Sequence, residues 1–143
     1  MSSKTFLIGI AGGIVVFLTG FLIYGILLMD YFGANISSFP GLLKEPMEIW
    51  AVGLGNIIWG ILLAYFLSLG NIESGTQGAV HGASLFFLFA LGSNFVFFGQ
   101  YNIMPFSLSF VDALCMALLG GVSGAVIGWL LSRYSGSKQA DIA

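Results

Sequence analysis

Residues 106–132 read FSLSFVDALCMALLGGVSGAVIGWLLS, a run of 27 residues with a single charged side chain, Asp112. A helix that crosses the roughly 30 Å hydrocarbon layer of a bilayer needs about 20 mainly apolar residues. The run is long enough, and it is continuous rather than alternating, which excludes the strands of a membrane β-barrel. Three further runs meet the same criterion, over residues 6–29, 47–69 and 75–99.

The composition of the whole chain agrees with four membrane spans. Only 7% of the 143 residues are charged, against about 25% in ordinary soluble domains. Eight of the ten charged residues lie outside the four runs, and the two inside are Glu48 and Asp112. We therefore predict an all-α, integral membrane four-helix bundle with short connections and antiparallel neighbours. It forms a single transmembrane domain over residues 1–143.

The positions of lysine and arginine predict the orientation of the bundle, because cytoplasmic loops of membrane proteins carry an excess of these residues. With four spans, both tails and the 70–74 connection share one side, which holds Lys4, Arg133 and Lys138. The other side holds Lys44. We therefore expect both termini in the cytoplasm and the loop of residues 30–46 outside.

Small residues indicate where the helices contact each other, since close backbone approach drives helix association in lipid. In the fourth run these residues fall within an arc of roughly 100°. The predicted packing residues are Ala113, Ala117, Gly120, Gly121, Gly124 and Gly128 in the fourth run, Gly53 and Gly60 in the second, and Gly9 and Gly13 in the first. Packing within the chain explains such stripes, and a docking face for another subunit is the alternative.

Asp112 is the most informative polar residue inside the predicted spans. It lies about six residues into the fourth run, roughly 10 Å deep, where a carboxylate is costly unless it is paired, protonated or hydrated. One interpretation is a proton-coupled role. The other is an acid near the interface that reaches water or caps the start of the helix, with Ser107 and Ser109 just before it.

His81 is the only histidine, and it lies about six residues into the third run from the cytoplasmic side. It has the chemistry of a proton relay, and the alternative is a hydrogen-bonded structural residue near the interface. A haem with two histidine ligands cannot form within one chain, and Cys115 lies toward the other half of the membrane, so zinc lacks ligands. We predict no metal and no cofactor.

Asn56 and Asn94 are the remaining candidates for an intramembrane polar site. We expect them to form hydrogen bonds between helices, with the lining of a polar cavity as the alternative. Glu48 needs no functional explanation, because negative charge suits a helix N-terminus and Pro46 suits the first turn.

No catalytic motif is visible in the sequence. It contains no phosphate-binding G-x-x-x-x-G-K-[ST], no H-E-x-x-H, no C-x-x-C and no paired aspartates. Four lysine and arginine residues are too few for nucleic acid. We therefore expect a protein that is not an enzyme. Its expected partners are the lipid bilayer and either other membrane subunits or further copies of itself.

Three glycine-containing stretches carry a resemblance to known proteins. They are Gly20-Phe21-Leu22-Ile23-Tyr24, Gly78-Ala79-Val80-His81-Gly82 and Gly120-Gly121-Val122-Ser123-Gly124. With four spans and glycine-rich first and last helices, the chain resembles small bacterial inner-membrane proteins that are grouped only as domains of unknown function. The resemblance implies the fold and a location in a bacterial inner membrane, and it implies no activity.

Two functions remain open at this point. The first is a non-enzymatic accessory or structural subunit of a membrane complex or oligomer. The alternative is a small transporter or channel linked to protons or cations, which would use Asp112 together with His81 and the two asparagines. Small multidrug transporters are similar in size, but they rely on a glutamate in the first span, and the first run here holds no acid.

Overall fold

The computed structural model describes residues 1–70, 72 and 74–140, with side chains as far as residue 134. The described chain is helical and has no strand. Between the first helix and α2 lies a short wider turn, Ile23–Leu27, called here the π turn. The helices are α1 Ser3–Leu22, α2 Met29–Asn35, α3 Ile49–Leu69, α4 Gly75–Gln100 and α5 Phe106–Ala140.

Four of these segments are long and apolar enough to cross a membrane, which confirms the predicted fold class. They are Ser3–Leu27, Ile49–Leu69, Gly75–Gln100 and Phe106–Tyr134, within a few residues of the predicted runs. Two details differ. Part of the expected 30–46 loop is helical as α2, and α5 continues into the expected C-terminal tail.

Two helices, α1 and α4, begin at the same end of the bundle, called here the terminal end, and each starts at a serine cap. The terminal end is the end at which α1 begins and α5 finishes, and the opposite end, which holds α2, is called the α2 end. The hydroxyl oxygen of Ser2 accepts a hydrogen bond from the backbone N–H of Thr5, and that of Ser74 accepts one from Gln77. Each cap satisfies a backbone donor that the first helical turn leaves unpaired.

Lysine and arginine are divided between the two ends of the bundle. Lys4 and Arg133 lie at the terminal end, where each covers an aromatic ring, Tyr134 and Trp129 respectively. Lys44 lies at the α2 end and pairs with Glu48 at 3.6 Å. The side chain of Lys138, the remaining residue of the orientation argument, lies outside the described part of the chain. Which end faces the cytoplasm stays a prediction.

The closest contact in the bundle is between α4 and α5, where backbone meets backbone. An alanine Cβ at Gly82 would strike the carbonyl oxygen of Gly120, and one at Gly120 would strike that of Gly82. The same reciprocal contact joins Gly78 and Gly124, and a Cβ at Gly128 would lie 2.8 Å from the carbonyl oxygen of Ser74. The glycines therefore fix the antiparallel register of the two helices, because a side chain would separate them.

A second glycine contact joins α1 and α3. A Cβ at Gly9 would lie 2.6 Å from the Cα of Ile61, and one at Gly13 would lie 2.5 Å from that of Ile57. Gly60 of α3 fits against the backbone between these two glycines. The G-x-x-x-G spacing of α1 is thus used inside the chain.

Not every predicted packing residue takes part in these contacts. Ala113 is completely buried, and a Cβ at Gly121 would lie at ordinary van der Waals distance, 3.6 Å, from the Cβ of Ala83. A Cβ at Gly53, however, would meet no described atom within 4 Å. The expectation that Gly53 packs against a helix of this chain is therefore not met, because α1 crosses α3 nearer to Gly60.

The two helix pairs meet through α1 and α5. Gly12 of α1 accommodates the side chain of Ile127, and Gly20 faces Leu119. The buried core between the pairs is formed by Val16, Leu63, Leu67, Phe86, Leu119 and Ile127. α3 and α4 touch only slightly, and Trp59 makes edge contacts with Phe86 and Phe89 there.

The glycine register predicts opposite effects for one substitution at two positions of α4. Alanine favours a helix over glycine by about 1 kcal/mol. At Gly92, where a Cβ would meet nothing within 4 Å, Gly92→Ala should therefore raise stability or leave it unchanged. At Gly82 the Cβ would overlap the α5 backbone, so Gly82→Ala should lower the free energy of unfolding by about 1–3 kcal/mol. Thermal unfolding in mild detergent, followed by circular dichroism, measures both, and equal effects would contradict the register.

Candidate functional site

Asp112 is held by two neutral hydrogen-bond donors from different segments of the chain. The hydroxyl group of Tyr24, in the π turn, donates to Oδ1 over 2.8 Å. The side-chain amide of Asn94, on α4, donates to Oδ2 over 2.7 Å. Asp112 itself lies six residues after the first residue of α5. The group joins the α1 segment to the α4–α5 pair near the α2 end, and we call it the Asp112 triad.

The position of Asp112 excludes the helix cap, which was one part of the second interpretation. α5 begins at Phe106, as predicted, so Asp112 lies in the second turn and does not cap the helix. That the acid reaches water near the interface stays a prediction. The carboxylate is partly buried, and each oxygen has a protein donor. Among the described residues, no lysine or arginine forms an ion pair with it. The cost of the carboxylate inside the apolar layer is therefore offset by neutral donors.

Tyr24 reaches Asp112 from a local irregularity of the first span. The backbone N–H of Leu28 donates to the carbonyl oxygen of Ile23 over 2.8 Å, a bond that spans five residues instead of four. Such wide turns are rare and frequently occur at functional sites. The ring of Tyr24 is fixed on its other side by an edge contact with Phe32 of α2, at 5.1 Å between centroids.

Asn94 is placed by the register that the glycines of α4 and α5 impose. Its amide nitrogen donates to the backbone carbonyl oxygen of Ser109 over 3.2 Å as well as to Asp112. Both hydrogens of the amide are thus used, and the residue is buried. Asn94 forms the predicted hydrogen bond between helices, and it orients the carboxylate.

Two further polar groups lie on the Asp112 face of α5. The hydroxyl oxygen of Ser109 is fully buried and has no hydrogen-bond partner among the described residues. Cys115 is a buried free thiol one turn after Asp112. A buried hydroxyl without a partner is costly, so the surroundings of Asp112 contain unused hydrogen-bonding capacity.

The chemistry of the triad differs between its two carboxylate oxygens. An amide nitrogen can only donate, so a proton added to Asp112 cannot point toward Asn94. It can be placed on Oδ1, where the Tyr24 hydroxyl is able to turn and accept it. Protonation would therefore reverse the bond to the α1 segment and keep the bond to α4.

The other two candidate polar residues do not join this group. His81 lies six residues after the start of α4, in the opposite half of the bundle from Asp112, and its side chain is exposed. Asn56 donates to the carbonyl oxygen of Val52 in its own helix over 2.7 Å. The expected bond from Asn56 to another helix is therefore not formed, because the side chain folds back onto the preceding turn.

An apolar groove on the outer face of α4 and α5 is the second notable surface. Its volume is about 590 Å³. Small, half-buried residues lie between larger and more exposed ones. The former are Ala79, Ala83, Ala117 and Gly121, and the latter are Val80, Leu114, Leu118 and Val122. Such a groove allows the backbone of another helix to approach closely.

In the part of the chain that the structure describes, no three His, Cys, Asp or Glu side chains come together. Asp112 is the one carboxylate of the triad, and its partners are a phenol and an amide.

Comparisons with known proteins returned no match, whether with protein-family models, curated proteins or solved structures.

Tyr24 is the site residue that sequence reasoning did not select. In the sequence analysis it appears only as the last residue of the stretch Gly20-Phe21-Leu22-Ile23-Tyr24. The available signal was a hydroxyl-bearing ring three residues before the end of an apolar span, at the end of the bundle where Asp112 also lies. Such a ring also suits the aromatic belt at the membrane interface, so nothing in the sequence pairs Tyr24 with Asp112.

The bond from Tyr24 predicts a measurable loss of stability. Tyr24→Phe keeps the ring on Phe32 and removes the hydroxyl donor, so one carboxylate oxygen loses its partner. We expect the free energy of unfolding to fall by about 0.5–2 kcal/mol. Tyr65→Phe is the matched control, because Tyr65 is exposed on α3. Equal melting temperatures for both variants in detergent would show that the Tyr24 bond contributes nothing to stability.

Proposed function

We propose that this protein is a non-enzymatic subunit of a complex or oligomer in a bacterial inner membrane, with both termini in the cytoplasm. The observation that carries the proposal is the α4–α5 groove. Its floor of small residues is left open by the chain's own helices, although the same two helices pack backbone to backbone on their inner sides. Lys4 and Arg133 at the terminal end support the orientation.

The groove fits a transmembrane helix for a physical reason. Apolar side chains gain little by associating in lipid, so helices bind where small residues allow many close contacts. Ala83, Ala117 and Gly121 offer such a floor, and exposed Leu114 and Leu118 border it. A helix from a partner subunit, or from a second copy, would pack its side chains between these borders.

Filling the groove should weaken association and leave the fold intact. A Cβ at Gly121 would lie at ordinary contact distance from Ala83, so the Gly121→Leu side chain can extend into the groove. We expect binding of the partner chain to weaken at least about tenfold, which corresponds to roughly 1.4 kcal/mol. Native mass spectrometry from mild detergent measures the bound chains.

Gly92→Leu is the matched control for this experiment, because it makes the same change on α4 where a Cβ meets open space. Wild-type protein and Gly92→Leu should both carry a second copy or a foreign membrane subunit. A wild-type protein that is released as a bare monomer would contradict the proposal, as would a Gly121→Leu variant that keeps its partner.

A second candidate function, a small proton-linked transporter, is favoured by the Asp112 triad. Asp112 accepts hydrogen bonds from both helix pairs, and a proton on Oδ1 would reverse the bond from Tyr24. Proton uptake would thus change the contact between α1 and the α4–α5 pair. A carboxylate inside the membrane whose protonation alters helix contacts is a common basis of proton coupling.

Asp112→Asn separates the two candidates. The amide oxygen can accept from Asn94 and the amide nitrogen can donate to the Tyr24 hydroxyl, so the shape and both contacts are kept while the titration is lost. If the protein carries protons, flux into proteoliposomes should vanish in a normally assembled variant. Glu48→Gln is the control, because it removes an exposed acid at the same end. Wild-type protein without proton flux would contradict the transporter.

A further inference from the structure

The loop that joins α2 to α3, residues 36–48, exposes apolar side chains outside the membrane-spanning helices. Phe39 is 56% exposed, Leu43 70% and Met47 67%. Burying apolar surface contributes about 25 cal/mol per Å², so side chains of this size are unfavourable in bulk water. Several exposed apolar side chains in one short loop indicate that another molecule covers them.

A tight turn holds the apolar residues Phe39 and Leu42 at the tip of the loop. The backbone N–H of Leu42 donates to the carbonyl oxygen of Phe39 over 3.0 Å. Pro40 occupies the second position, and Gly41 has a φ of 79° at the third. This is a type II turn, in which proline fixes the second residue and glycine permits the positive φ of the third. Phe39 and Leu42 therefore stand at a defined tip, with Leu43 directly after it.

Charged residues follow the apolar tip. Lys44 and Glu48 form an exposed ion pair, and Glu45 is exposed beside them. The loop thus has an apolar part and a charged part. Residues with this division bind at the boundary between lipid headgroups and acyl chains.

The loop is also continuous with a surface that contacts lipid. α3 begins directly after it with Ile49 and Trp50, and the ring of Trp50 is 71% exposed. The indole N–H of Trp50 donates to Glu48 over 2.6 Å. Exposed Tyr31 and Tyr101 lie at the same end, and tryptophan and tyrosine concentrate at membrane interfaces. The start of the loop is tied down, since the backbone N–H of Ser37 donates to the carbonyl oxygen of Ile103 over 2.7 Å.

We propose that the loop of residues 36–48 lies in the headgroup layer of the surrounding bilayer and inserts Phe39, Leu42 and Leu43 among the acyl chains. The backbone stays at headgroup depth, because an irregular segment cannot satisfy its N–H and C=O groups in hydrocarbon. Lys44 and Glu45 then point to headgroups and water. The partner of this surface is phospholipid of the same leaflet, and the inference is independent of the two functions proposed above.

Site-directed fluorescence in nanodiscs tests the inference. An environment-sensitive nitrobenzoxadiazole label is placed at Leu43→Cys or, as the control on the charged part of the same loop, at Glu45→Cys. Both variants carry Cys115→Ala, so that the label has a single thiol. Nanodiscs of phosphatidylcholine and phosphatidylglycerol expose both faces of the bilayer. Quenching is measured with nitroxide attached to the acyl chain of a lipid and with iodide in water.

The label at residue 43 should emit at shorter wavelength than the label at residue 45 and lose more fluorescence to the lipid nitroxide than to iodide. The label at residue 45 should show the reverse order. Strong quenching of the residue 43 label by iodide would overturn the inference, because the tip would then lie in water. Protection from both quenchers would overturn it as well, because a protein surface would then cover the tip.

Discussion

The contact between the backbones of α4 and α5 sets the positions of the other parts of this bundle. Gly78 and Gly82 fit against Gly120 and Gly124 without intervening side chains, and a Cβ at any of the four would overlap the backbone of the other helix. Because a helix is rigid, this register also aligns residues three turns away. Asn94 follows Gly82 by twelve residues on α4 and meets Asp112 of the facing helix, α5.

The Asp112 triad depends on that alignment and on the π turn. Without the α4–α5 register, Asn94 would not reach both Ser109 and Asp112. Without the wide turn at Leu28, the hydroxyl of Tyr24 would not face the carboxylate of Asp112 in the same geometry. A carboxylate inside the membrane is tolerated here because three segments each place one group, so the site is a product of tertiary structure.

The groove and the triad lie on different surfaces of the same helix pair. The inner sides of α4 and α5 carry the glycines and the carboxylate, and the outer sides carry Ala83, Ala117 and Gly121. The two proposed functions therefore use separate features.

The sequence by itself determined the four spans, the use of Gly9, Gly13, Gly60, Gly120, Gly124 and Gly128 in close packing, and the depth of Asp112, because apolar length and small-residue spacing are local properties. It did not separate Gly53 from Gly60, or Asn56 from Asn94. In lipid every face of a helix is apolar, so the hydrophobic pattern does not reveal which of two small or polar residues on one helix meets a neighbouring helix. Only the tertiary structure decided that Asn94 and Tyr24 meet Asp112 while His81 and Asn56 do not, because a hydrogen bond needs atoms about 3 Å apart, and the crossing of whole helices sets that distance.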